Sequence, residues 1–232
     1  MDFIVQGFFQ SIRLIISMDE ETLNVVMTTL SLTGLSMLFI LGIGLPLGFA
    51  LGYFDFPGKH FFRTVADTLL ALPTVVVGLL VYAFISRRGP LGDLELLFTI
   101  RGMAIGQVIL GLPIVVSYTA TAIEGLDNRL RLTLQTLGAS GTKLAVTSLW
   151  EGRFQILVAA LTSYGRIIGE VGSAMMLGGN IKWHTRTITT AITLETGKGD
   201  FPLGIALGII LIAISFALNI SLSFLRRRVG NS

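Results

Sequence analysis

Two ionisable residues stand inside a long apolar stretch of this chain. Residues 154–181 contain Arg166 and Glu170 and no other charged or histidine side chain. Charged side chains are costly inside a bilayer, so they usually face a bundle interior or a polar path. A four-residue spacing on one helix would place both groups on the same face, where they could neutralise each other. The pair is therefore a candidate for an ion pathway or, alternatively, for a purely packing ion pair.

A polar loop, residues 124–153, leads directly into this stretch. Four leucines recur in it at the three- or four-residue spacing of one helix face: Leu126, Leu130, Leu134 and Leu137. Gly138 is placed to end that helix in the left-handed conformation, and a second helix is expected after Ser140. Two short helices joined by a glycine bend would form a compact knob on which a soluble partner could dock. An ordinary solvated helical hairpin is the alternative.

Long apolar stretches make up most of the remaining chain. Of its 232 residues, 52% are hydrophobic and only 13% are charged, whereas soluble domains are about a quarter charged. Four stretches contain no acidic, basic or histidine residue: 22–54, 68–86, 102–123 and 201–225. Each of these, like 154–181, could cross a hydrocarbon core of about 30 Å as a helix. The sequence therefore predicts an all-α polytopic membrane protein with about five transmembrane helices.

The two ends of the chain predict its arrangement in the membrane. Residues 1–20 are expected to form an N-terminal interfacial helix, because Gln6, Gln10 and Arg13 recur at helical spacing on one polar face. A sixth, short span is the alternative for this segment. Residues 21–228 are then a single transmembrane domain. The arginine triplet at 226–228 predicts a cytoplasmic C-terminus, and five spans place the N-terminus outside.

Residue types exclude several other functions. The run from Gly138 to Gly141 matches the Gly-x-Ser-Gly of intramembrane serine proteases, but Ser140 lies in the polar loop instead of a span. Gly197-Lys198 lacks the upstream glycine and the following Ser or Thr of a phosphate-binding loop, so no nucleotide site is expected. Two histidines and no cysteine predict no metal site and no cofactor. The sequence has no basic cluster with interleaved aromatic residues, so no nucleic-acid partner is expected.

The knob and the span after it resemble parts of ATP-binding-cassette (ABC) importer permeases. The coupling motif of that family is Glu-Ala-Ala, three residues and a glycine, and Gly138 is similar to that glycine. The Glu-Ala-Ala positions hold Leu132, Thr133 and Leu134 here, so the acidic residue is absent. Further runs are similar to the sulfate, molybdate and tungstate permeases: Leu72-Pro73-Thr74-Val75-Val76-Val77-Gly78, Gly165-Arg166-Ile167-Ile168-Gly169-Glu170-Val171-Gly172, Gly178-Gly179-Asn180-Ile181 and 185–196.

The five-span plan with an N-terminal amphipathic piece is most similar to the tungstate permeases. This resemblance implies an importer permease fold of type I with a cytoplasmic coupling helix, in a bacterial cytoplasmic (inner) membrane. It implies transport of an oxyanion into the cytoplasm, with tungstate first and molybdate or sulfate as alternatives. An ATP-independent anion carrier is a further alternative.

The resemblance also implies partners. Two copies of a cytoplasmic ATPase would dock on two copies of this chain, and an extracytoplasmic binding protein would deliver the oxyanion. The residues expected to contact the ATPase are Leu134, Leu137, Gly138, Ala139 and Ser140.

A pathway or gate for an oxyanion needs hydrogen-bond donors and few fixed carboxylates. The segment after residue 165 supplies candidates for that pathway: Arg166, Glu170, Gly172, Asn180, Thr185 and Thr189. Direct contact of Arg166 with the anion and a packing role beside Glu170 both stay open at this point.

Gly138→Val is expected to insert into the membrane normally and to uncouple ATP hydrolysis from transport, because a β-branched side chain would strain a left-handed bend. ATPase activity and uptake are measured together on the reconstituted complex. Uptake at the wild-type rate would contradict the coupling assignment.

Overall fold

A computed structural model describes residues 2–17, 19–126, 136 and 141–230, with the backbone alone for residues 2, 142, 218 and 221–230. The predicted coupling residues Leu134, Leu137, Gly138, Ala139 and Ser140 lie outside the described residues. The described chain contains these helices: α1 Asp2–Ile16, α2 Glu20–Tyr53, α3 Lys59–Leu69, α4 Thr74–Ile85, a 3-10 turn Gly92–Leu94, α5 Ile100–Glu124, α6 Thr142–Glu151, α7 Arg153–Ile168, α8 Gly172–Gly178, α9 Ile188–Gly197 and α10 Phe201–Gly230.

Two of the predicted spans are confirmed as continuous helices. Among the described residues, α2 and α5 are each long and apolar enough to cross a membrane. The number rises to four if each of two bent helix pairs is one span. The predicted helix over 201–225 lies within α10. The all-α fold expected from the hydropathy pattern is therefore confirmed.

The helix expected over 68–86 is wrong as a single continuous element. The chain leaves α3 at Leu69, and α4 begins only after Pro73, which stands at its N-cap. The residue before a proline is pushed out of the helical region, and this favours a break there. The uncharged stretch therefore holds the end of one helix and the whole of the next.

The start of α2 is fixed by a carboxylate. Asp19 Oδ2 accepts hydrogen bonds from the Thr22 hydroxyl at 2.7 Å and from the Thr22 backbone N–H at 2.8 Å. These bonds stabilise the charged form and hold the pKa of Asp19 below its usual value. A capping carboxylate also suits the positive end of the helix dipole.

The chain forms two compact units, each assembled from separate stretches. The first unit comprises the chain up to Leu35, Pro73–Gln107 and everything from Ile168 onward. Its core contains four buried residues: Val25, Ile188, Ala191 and Leu207. In this unit α1 packs on α10, with the Phe3 and Phe201 ring centroids 5.8 Å apart. The α1 helix is thus confirmed, while its place at a membrane interface and the domain boundary at residue 20 stay predictions.

The second unit comprises Ser36–Leu72 and Val108–Ile167. Its α3 is held on α5 by Arg63, whose Nη1 donates to the carbonyl oxygen of Ser117 at 2.8 Å. Asp67 accepts a hydrogen bond from the Ser117 hydroxyl, and Lys59 lies 3.5 Å from Glu124. The polar side of this amphipathic helix is therefore satisfied by α5.

Three glycines four residues apart let α2 approach α5 closely in the second unit. They are Gly44, Gly48 and Gly52. A Cβ atom on Gly48 would lie 2.7 Å from the Cβ of Thr119 and 2.7 Å from the carbonyl oxygen of Val116. Small residues at this spacing are a common way of packing membrane helices backbone to backbone.

Gly48→Ala is expected to destabilise the purified protein by about 1–3 kcal/mol, because backbone atoms must move to admit the methyl group. Gly42→Ala on the same helix is the matched control, since its Cβ would meet no atom within 4 Å. Thermal unfolding in detergent measures both variants, and equal midpoints would contradict this packing of α2 on α5.

Candidate functional site

The candidate pathway residues fall mostly in one irregular segment, residues 168–190, which is called the broken segment below. The α7 helix ends at Ile168, and α8 occupies only Gly172–Gly178. Glu170 therefore lies between two helices. The expectation that Arg166 and Glu170 share one helix face at positions i and i+4 is wrong, because the helix ends two residues before Glu170.

Glu170 explains much of this break by binding the backbone ahead of it. Its Oε1 accepts a hydrogen bond from the Ser173 N–H at 3.0 Å, in the first turn of α8. First-turn N–H groups have no partner inside a helix, and an acidic side chain supplies one while suiting the helix dipole. Glu170 is buried, with 6% of its surface exposed. Its carboxylate thus stabilises the backbone of the first unit at the start of α8.

Gly172 marks a close approach of the broken segment to α4. A Cβ atom at this position would lie 3.0 Å from Val75 Cγ2 and 3.1 Å from the Thr74 hydroxyl oxygen. A larger residue would have to push the start of α4 aside. Gly172 therefore serves packing in this unit.

Thr185 closes the bend that follows α8. Its hydroxyl donates to the carbonyl oxygen of Gly178 and accepts from the Ile181 N–H at 3.1 Å. The bend needs such support because Asn180 and Trp183 both have positive φ angles, 51° and 68°. Left-handed backbone at residues other than glycine is uncommon and persists only where surrounding contacts hold it.

Thr189 and Asn180 also bind backbone carbonyls in this segment. The Thr189 hydroxyl donates to the carbonyl oxygen of Glu170 at 2.9 Å. The Asn180 side-chain amide donates to the carbonyl oxygen of Thr190 at 3.3 Å. Thr185 and Thr189 are buried, at 1% and 5% exposure. Their hydroxyl hydrogens are used by the protein itself, and their contact with an anion stays a prediction.

Residues that sequence reasoning missed anchor the same segment to α2. The Ile188 N–H donates to the Thr29 hydroxyl at 2.9 Å, and Glu21 binds Arg186 at 2.8 Å and Lys182 at 2.7 Å. Thr187 and Thr190 form a reciprocal capping box at the start of α9. The Thr-x-x-Thr spacing was a local signal for that helix start. Nothing local in the sequence pointed to Glu21 or Thr29.

Arg166 belongs to the second unit and differs from the others. Its side chain is exposed and lines an open hollow of about 270 Å³ on that unit. Five further residues line the hollow: Leu70, Ala71, Ile114, Tyr118 and Thr162. The structure thus places five of the predicted residues in the broken segment: Glu170, Gly172, Asn180, Thr185 and Thr189. Arg166 instead lines a hollow of the second unit.

Comparison with known proteins identifies the family. The family model described as the binding-protein-dependent transport system inner membrane component matches residues 44–231. This chain belongs to that family. The resemblance to ABC importer permeases is thereby confirmed, and the chain is a multi-pass membrane protein. Members of the family work with an ATPase and a substrate-binding protein as partners.

Two relatives and one solved structure of similar fold are informative. The tungstate uptake system permease protein TupB of Campylobacter jejuni is 47% identical over 227 residues, covering 98% of this chain and 95% of that protein. The TupB of Peptoclostridium acidaminophilum is 34% identical, covering 94% and 96%. A crystal structure of a bacterial alginate ABC transporter, bound to a periplasmic protein carrying an alginate pentasaccharide, has a chain of similar fold. Its TM-score is 0.76 at 19% identity, covering 91% of this chain and 80% of that one.

Glu170→Gln is expected to keep nearly wild-type stability, because the amide oxygen can still accept from the Ser173 N–H. Glu170→Leu removes the acceptor and leaves a buried donor unsatisfied, at a cost of about 1–3 kcal/mol. Thermal unfolding midpoints and the yield of purified protein measure both changes. A Gln variant as unstable as the Leu variant would show that the negative charge is required and not the capping bond.

Proposed function

We propose that this chain is the membrane-spanning permease subunit of an ABC importer that moves tungstate into the cytoplasm. The single observation that supports this most strongly is the near full-length similarity to the tungstate uptake permease of Campylobacter jejuni. The long uncharged helices and the polar, internally bonded breaks between them suit a bundle that surrounds an anion path. The setting would be a bacterial cytoplasmic membrane.

The proposed assembly has two copies of this chain, two cytoplasmic ATPase subunits and one extracytoplasmic oxyanion-binding protein. The chain has no phosphate-binding loop, so ATP hydrolysis is assigned to the separate ATPase. The polar loop at 124–153 would receive that ATPase through Leu134, Leu137, Gly138, Ala139 and Ser140. Closed two-fold symmetry is the common arrangement for such a pair of identical subunits.

Among the predicted pathway residues, we assign the contact with the anion to Arg166. Its guanidinium carries a permanent positive charge and lines an open hollow of the second unit. Glu170, Thr185 and Thr189 instead use their polar atoms on backbone groups of the first unit. We therefore assign the latter to keeping the broken segment in shape.

Tungstate, molybdate and sulfate are all tetrahedral dianions, so a few donors along a path would treat them alike. Selection among these ions is assigned chiefly to the binding protein that delivers them. The permease then has to lower the cost of moving a dianion through an apolar region without holding it.

Uptake into proteoliposomes tests this function. The permease and its ATPase are reconstituted into vesicles with the ATPase facing inward, and ATP is trapped inside. The binding protein and radiolabelled tungstate are added outside. ATP-dependent accumulation is expected, and excess unlabelled tungstate should suppress it more than equal sulfate does. Accumulation without ATP would support a carrier, and uptake of sulfate in preference to tungstate would overturn the assigned ion.

A further inference from the structure

The hollow around Arg166 has an unusual set of polar groups. Its walls at Leu70, Ala71 and Ile114 are apolar, and its polar side chains are Tyr118, Thr162 and Arg166. All six residues belong to the second unit. Because none of the described residues that line this hollow carries a carboxylate, the fixed charge on its wall is positive.

Arg166 makes no hydrogen bond or ion pair in the part of the chain that the structure describes. It stands on α7, whose sequence from Phe154 to Ile168 is otherwise free of charge. A guanidinium in such an element is too costly to face lipid unpaired. It needs water or an anion as its partner, and both can reach an open hollow.

Tyr118 supplies a second donor in the same hollow. Its side chain is 43% exposed, and its hydroxyl has no hydrogen-bond partner among the described residues. Thr162 does not add a third donor, because its hydroxyl hydrogen is used on the carbonyl oxygen of Val158 at 2.9 Å. The free donors are thus one guanidinium and one phenol, which suit the oxygens of an anion.

Two other hollows in the described residues lack this excess of positive charge. One is lined by Arg87 and Arg88 but also by Asp93 and Glu95. The other is lined by Arg13 together with Asp19. In both hollows the arginine charge is offset by carboxylates, so neither favours an anion as strongly.

The size of the hollow also fits. Its volume is about 270 Å³, and a water molecule occupies about 30 Å³ in the liquid. An anion with four oxygens needs roughly the space of four waters, about 120 Å³ on that measure. The remainder leaves room for part of a hydration shell.

We propose that Arg166 and Tyr118 form a contact site for a tetrahedral oxyanion in transit, at which the anion exchanges part of its water for these two donors. The site rests on the proposed function. Two donors on an open surface bind weakly, and weak binding is what passage requires, since a site that held the dianion tightly would stop it. Thr162 shapes the wall of the hollow beside the two donors.

Uptake kinetics of single variants test the site. Arg166→Gln is expected to lower the initial rate of ATP-dependent tungstate uptake by about tenfold or more, because a charged hydrogen bond to the anion is lost. Tyr118→Phe should lower it by about three- to tenfold. ATPase docking and complex yield should not change. Arg101→Gln and Tyr82→Phe are matched controls, since both side chains are exposed elsewhere in the chain, and both should transport as the wild type does.

A second measurement reports the local charge without any transport. The chain has no cysteine, so Thr162→Cys places a single thiol in the hollow. Each rate is divided by the rate of the same reagent with a free thiol in solution. On that scale an anionic thiosulfonate reagent should modify the cysteine about tenfold faster than a cationic reagent of the same size. Adding Arg166→Gln should abolish that preference, and tungstate should protect the thiol only while Arg166 is present.

The outcomes separate the two proposals. If wild-type vesicles take up no oxyanion, the proposed function fails irrespective of Arg166. If the wild type transports and Arg166→Gln transports equally well, or if the thiol of the Thr162→Cys variant shows no preference for the anionic reagent, the contact site is wrong. An Arg166→Gln variant that does not assemble is judged by the thiol measurement with Arg166→Lys, which keeps the charge and should keep the preference.

Discussion

Backbone groups freed at a break in a helix need new partners in an apolar surrounding, and the first unit depends on this constraint. An unsatisfied N–H or C=O group in hydrocarbon costs several kcal/mol. Polar side chains provide the partners here. Glu170 accepts from the first turn of α8, and Thr189 donates to the Glu170 carbonyl oxygen before that helix. Thr185 closes the bend after α8, and Thr29 accepts from the first N–H of α9. Removing one of these side chains would leave a buried backbone group without a partner. The polar side chains of the broken segment therefore have a structural role first.

The same constraint separates structural polar groups from those free to act on a substrate. Arg63 and Asp67 bind groups on α5, and Arg186 pairs with Glu21. In contrast, Arg166 and Tyr118 face an open hollow with their donors unused by the described residues. A transported dianion can take up only donors that the fold does not already require. The arrangement therefore favours a path with few, weak contacts.

Hydropathy predicted the long elements and failed at the breaks for an identifiable reason. Uncharged runs of more than 20 residues predict α2 and α5 from local sequence alone. The break after Ile168 holds a single charged residue, Glu170, between Gly169 and Val171. Glycine is frequent inside membrane helices and one charge does not interrupt an apolar stretch, so hydropathy could not show the break. Pro73 was a local signal for the break between α3 and α4. The partners of the broken segment could not be found locally, since Thr29 and Ile188 are 159 residues apart. The one-helix assumption for Arg166 and Glu170 was wrong because Glu170 binds the first turn of the next helix and its carbonyl oxygen accepts from Thr189, a contact over 19 residues.

Tungsten itself offers the most direct test, because its strong anomalous scattering locates it among lighter atoms without ambiguity. Because the contact site binds weakly, crystals of the assembled transporter are soaked at a tungstate concentration high enough to fill it, and anomalous difference maps are calculated from data collected at the tungsten edge. A peak is expected beside the guanidinium of Arg166 and the hydroxyl of Tyr118, and it should be lost in Arg166→Gln crystals. A peak beside Thr185 and Thr189 in the broken segment, with none at Arg166, would contradict the contact site.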